Sequence, residues 1–122
     1  MIKWISTALL LTGLAGCNTT PPVTLYHWGS YQTLVNDMYV EPGSADAATQ
    51  IAQLTIDIEQ ANNLGKAVPP GLYAHLGMLY AMIGNEEQSR LSYQQEKALY
   101  PESAHLINSM MARAQGAEGE QQ

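Results

Sequence analysis

The sequence has a single cysteine, Cys17, and no phenylalanine among its 122 residues. One thiol excludes an internal disulfide framework, a multi-cysteine zinc site and an iron–sulfur cluster built from this chain alone. Charge is also scarce: 13% of residues are charged, with five basic against eleven acidic side chains and a formal net charge of -6. That balance lacks the basic footprint of a nucleic-acid binder, so no nucleic-acid partner is expected. No Gly-rich phosphate loop, strand–turn–helix serine motif or His-Glu-x-x-His spacing occurs. His27, His75 and His105 fall in three separate segments, so neither a metal nor another cofactor is expected, and Glu86-Glu87 suits a helix dipole better than acid–base catalysis. The chain is not expected to be an enzyme. What is abundant is hydrophobic side chains, 46% of the total, enough for one modest core.

The first residues read as a targeting segment. Lys3 precedes an apolar run from Trp4 to Leu14 and then small residues, a run well short of the roughly 20 residues that cross a bilayer as a helix. Residues 1–16 are expected to be a signal peptide. The ending Leu14-Ala15-Gly16-Cys17 resembles the lipobox of bacterial lipoproteins. It implies that the Cys17 thiol is diacylglycerylated, that cleavage follows, and that the freed amine is then acylated; two or more acyl chains hold a protein stably on a membrane. Asn18 stands where an Asp would resemble an inner-membrane retention signal, so an outer-membrane destination facing the periplasm is expected. Residues 17–24 form the lipidated N-terminus and a Pro-containing linker, in which residues 18–22 span about 15 Å when extended.

A helical domain is expected over residues 25–115, with a disordered acidic tail over 116–122. Tyr31, Leu34, Val35, Met38 and Tyr39 share one face of a short helix that Ser30 can cap. A longer helix runs from about Ala45 to Leu64, with Ile51, Leu54, Ile58 and Ala61 on its apolar side and Asp57 and Glu59 pointing elsewhere. Pro69-Pro70-Gly71 opens a third helix that ends at Ile83 before Gly84. Asn85 caps the fourth, with Gln88 placed for a capping box, and Pro101 stops it at Tyr100. A fifth, from about Ser103 to Ala114, carries Leu106, Ile107, Met110 and Met111.

From Pro70 onward, Tyr73, Leu76, Gly77, Tyr80, Ser89, Tyr93 and Pro101 resemble a tetratricopeptide unit of about 34 residues. Small Gly77 and Ser89 let two antiparallel helices approach, and Tyr73, Leu76, Tyr80 and Tyr93 fill the space between them. Glu96 stands where the repeat usually has Ala; if buried, it needs Arg90, Lys97 or a helix end as partner. The fold expected is all-α: about five helices in a short tetratricopeptide-like α-hairpin or solenoid domain. In such a unit Ala74, Met78, Ala81 and Met82 line the concave face, either as a partner groove with adaptable Met side chains or as a stripe covered by the second or fifth helix. Tyr26 and Trp28 are further candidates for partner binding; with Tyr31 they either sit among lipid headgroups or pack onto the core.

Three blocks carry a closer resemblance: Leu25 to Tyr31, Pro69 to Tyr80, and Glu96 to Ser103. Together they resemble a family of small bacterial lipoproteins with a single tetratricopeptide-like repeat, catalogued only as a domain of unknown function. Its members are often encoded beside a curli-secretion-channel-like lipoprotein and a second small lipoprotein. The resemblance implies envelope localisation, membrane attachment through the N-terminal lipid and an envelope protein partner, with that channel-like lipoprotein as the candidate. A protein-binding adaptor or assembly accessory is the function expected; the alternative is a small-molecule or lipid-binding envelope chaperone, which calls for an internal cavity of about 300 Å³ or more.

Overall fold

The architecture follows from five helices and the turns that stop them. The structure, a computed structural model, describes residues 23–119 and side chains as far as Arg113. The expected signal peptide, Cys17, the expected linker through Pro22 and residues 120–122 lie outside the described residues. Helices α1 (Tyr31–Val40), α2 (Ala47–Asn63), α3 (Leu72–Met82), α4 (Glu86–Leu99) and α5 (Ala104–Gly119) follow in order, with a 3₁₀ turn over Pro101–Ser103. Among the described residues the fold is all-α; the one strand-like pairing is a parallel bridge between Tyr26 and Ala67.

The turn chemistry explains the boundaries. Asp46, rather than Ala45, starts α2: its side chain accepts from the Thr49 amide at 2.7 Å, a bond that also lowers its pKa. Asn85 caps α4 by accepting from the Gln88 amide at 3.2 Å. The reciprocal half of a capping box is not formed, because the Asn85 amide donates to the Tyr80 carbonyl at 2.8 Å. That bond and Gly84 N–H to Ala81 O, with Gly84 at φ +75°, close α3 in a Schellman motif. At the other end of the chain, α5 runs to Gly119, past Gly116 where the sequence suggested a tail. Ala, Gln and Glu are good helix formers, and here they extend the helix.

Two apolar clusters hold these helices together. The first joins Leu54 and Ala61 of α2 to Leu72, Leu76 and Leu79 of α3 and to Val68 of the connection. The second joins Ala74 of α3, Tyr93 of α4 and Ile107 of α5. Leu76 belongs to the first cluster and Tyr73 and Tyr80 pack against it, so these side chains also serve the contact with α2. Tyr31 and Leu34 tie α1 to the first cluster, but Tyr39 is exposed and α1 has no buried residue.

Helices α3 and α4 approach each other closely at Gly77. A Cβ built on Gly77 would come within 2.6 Å of two Tyr93 ring carbons, and Tyr93 is itself buried. The ring occupies the space that any side chain at position 77 would need. Gly77→Val is expected to lower stability by about 2 kcal/mol despite its better helix propensity, measured by urea denaturation. Adding Tyr93→Leu should recover part of that loss by making room.

Candidate partner-binding groove

The candidate site begins with how α3 is fixed. Pro69 and Pro70 have no amide hydrogen, so Gly71 is the first donor at its start, and Gly71 has no side chain to cap the helix. Glu96, buried at 2% exposure on α4, supplies the cap from outside: it accepts from the Gly71 amide at 2.7 Å and the Ala74 amide at 3.3 Å. Of the compensating partners considered for Glu96, the helix end is the one used. Arg90 pairs with Glu87 at 2.6 Å and Lys97 reaches Asn108 at 3.2 Å. Burial chiefly, and then the Glu96 charge, raise the pKa values of Tyr31 and Tyr73.

A second acid does similar work on α1. Asp57 is buried rather than turned away: it accepts from the Ser30 amide at 2.9 Å and the Ser30 hydroxyl at 2.6 Å. Ser30 thus gives its hydroxyl to Asp57 and makes no cap bond to α1. His75 lies at the same junction, buried, its Nε2 3.1 Å from Gln50 Oε1 and its ring 6.0 Å from that of Tyr31. It is a satisfied interior histidine. Among the described residues no group of three His, Cys, Asp or Glu could hold a metal ion.

With α3 so placed, its last turns face the start of α4 and the middle of α5 across an open groove of about 720 Å³. Met78, Ala81 and Met82 line it from α3, Ser89, Arg90 and Tyr93 from α4, and Met110, Met111 and Arg113 from α5. Met82 is 69% exposed. Ala74 is a correction to the expected lining: it is buried under Tyr93 and Ile107, where α5 covers the stripe one turn before the groove opens. Tyr26 and Trp28 are not in the lining either. Their rings meet edge to face at 6.0 Å, and Trp28 stacks on Tyr31 at 6.3 Å, an aromatic chain that leads into the first cluster. Met110, Met111 and Arg113 were not singled out as site residues. The place of Met110 and Met111 on the apolar side of α5 is legible in the sequence; that this side faces Met78 and Met82, with Arg113 beside them, is not.

Residues 25–110 match a protein family described as Domain of unknown function (DUF4810). The chain belongs to that family. No curated protein matches it, and no solved structure does. The DUF4810 match thus covers the helices that build the groove, up to Met110, and no helix among the described residues is long and apolar enough to cross a membrane.

Two measurements probe the polar framework. Glu96→Ala leaves two helix-start amides without an acceptor and should cost about 2–4 kcal/mol, with Glu96→Gln, which keeps one acceptor, costing roughly half as much; denaturant midpoints distinguish them. Burial lowers the His75 pKa below its ordinary 6.5, so the unfolded chain takes up the proton more readily than the folded one. This contribution to stability is whole above pH 6.5 and is lost as pH falls from there through the folded pKa. Melting temperatures from pH 8 to pH 5 should decline, and His75→Asn should remove that part of the slope.

Proposed function

We propose that this DUF4810 chain is a bacterial envelope lipoprotein, anchored through acylated Cys17 on the periplasmic side of the outer membrane, that serves as a protein-binding adaptor or assembly accessory. Its α3–α4 hairpin is, on this reading, a tetratricopeptide-like unit whose concave side takes the partner. The observation that carries the proposal is the groove: four methionines and Tyr93 around about 720 Å³ open to solvent, with Met82 left 69% exposed. Flexible thioether side chains adapt to varied apolar surfaces, and here four of them are gathered in one place rather than scattered. Glu86, Ser89, Arg90 and Arg113 stand beside the methionines, so an amphipathic helix, which satisfies its own backbone, can set its apolar stripe on the thioethers and polar side chains on that rim. A curli-secretion-channel-like lipoprotein is the first partner to examine.

The groove volume lies within the range of small-molecule sites, so an acyl chain is the second reading. Its openness favours a macromolecule over an enclosed lipid. Pull-down with the full chain from detergent-solubilised membranes separates the two, using Met82→Asp and Met82→Leu, both at an exposed position that leaves the clusters intact. A specific protein should be recovered with the native chain and with Met82→Leu, and its recovery should fall at least about tenfold with Met82→Asp. Recovery of no specific protein, or indifference to Met82→Asp, contradicts the adaptor reading; copurified fatty acid in its place supports the carrier. Mass spectrometry of the mature N-terminus should find acylated Cys17.

A further inference from the structure

We propose that the end of the molecule formed by residues 23–25 and the α2–α3 connection rests on the phospholipid surface, so that the groove faces away from the membrane. The proposal rests on lipidation of Cys17. Residues 18–22 separate that anchor from Val23, and even fully extended they keep Val23 within about 20 Å of Cys17. Whatever side chains surround Val23 are therefore held next to lipid at high effective concentration.

Those side chains have the composition such a surface takes. Val23 is 98%, Leu25 68% and Leu64 59% exposed. They are brought together by the Lys66 ammonium on the Thr24 hydroxyl at 2.9 Å, by Ala67 N–H to Leu25 O at 3.1 Å and by His27 N–H to Ala67 O at 3.0 Å. The Tyr100 hydroxyl donates to the Val68 carbonyl and sets half-exposed Leu99 at the same end. Singly exposed aliphatic residues are ordinary on a protein surface; a group of them beside a lysine, where an acylated chain arrives, is the arrangement of a shallow interfacial contact.

The charges are sorted along the same axis. The lysine-bearing end carries Lys66 and Lys97 against the exposed carboxylates Glu59 and Glu102. Glu41, Asp46, Glu86 and Glu87 stand at the far end, by the α1–α2 and α3–α4 turns. Arg90 and Arg113 offset part of the far end's charge, and an anionic bilayer still repels that end more than the near-neutral lysine-bearing end. Because α3 begins near the lipid-facing end and runs about 16 Å away from it, Met78 and Met82 open toward the periplasmic space, where a partner can reach them.

The test uses the full lipidated chain in vesicles of phosphatidylethanolamine and phosphatidylglycerol that contain spin-labelled phosphatidylcholine as quencher. Acylation blocks Cys17, so one new thiol at a time can carry a nitrobenzoxadiazole label. Leu25→Cys and Leu64→Cys should lose more than half their fluorescence to the quencher, while Glu41→Cys and Glu87→Cys lose almost none. Vesicle flotation of each sample reports the anchor separately. Chains that float yet show equal or negligible quenching at all four positions overturn the orientation and leave the lipoprotein reading standing. Chains that fail to float, or that take label at Cys17, overturn both.

Discussion

The Glu96 carboxylate holds the start of α3, and the positions of most other elements follow from that contact. An acid with 2% exposure is costly to bury unless its oxygens are satisfied. Here it meets the two donors that Pro69, Pro70 and Gly71 leave without a local acceptor, at the positive end of a helix dipole. Sequence and cap are complementary: the prolines remove donors, the glycine removes any side-chain cap, and the neighbouring helix supplies the charge. At position 96, where the sequence's resemblance to a tetratricopeptide unit leads one to expect a small alanine, this chain has a carboxylate that fastens one helix to the next.

The α1–α2 pair is built on a related device, with Asp57 of α2 binding the amide and hydroxyl of Ser30 just ahead of α1. Two successive hairpins are thus joined by an acid on the second helix reaching the beginning of the first. Between them lies the apolar cluster of Leu54, Ala61, Leu72, Leu76 and Leu79, with His75 and Gln50 as a satisfied polar pair beside it. Fixing both ends of this stack leaves the final turns of α3 free to serve as a wall. Gly77 lets the Tyr93 ring lie against that wall, and α5, held by Ile107, forms the opposite side. The groove is therefore a consequence of how α3 is clamped, which connects a buried charge at one end of the helix to apolar exposure at the other.

The sequence made the helices legible because their punctuation is local. Asn85, Gly84 and Pro101 mark boundaries through chemistry within a few residues, and each acts at its expected place to within a residue or two. What periodicity could not show was tertiary. Asp57 belongs to the polar side of α2 by pattern, and only the position of Ser30, 27 residues away, makes it interior. Leu76 and Tyr80 fit a two-helix pattern, and their part in the cluster shared with α2 is visible only in the fold. Ala74 and Met78 share one stripe of α3, yet α5 crosses between them, burying the first and leaving the second on the groove. Family membership adds the extent of the domain, residues 25–110, without adding a reaction or a ligand.

Residue-resolved hydrogen exchange on the folded chain tests the clamp most directly. Amides in the first turn of a helix ordinarily exchange fast, because they have no partner within the helix. If Glu96 holds α3, the Gly71 and Ala74 amides should exchange as slowly as those of Leu76 and Leu79 in the core. Exchange at the rate of the Glu87 amide, at the exposed start of α4, would contradict the account.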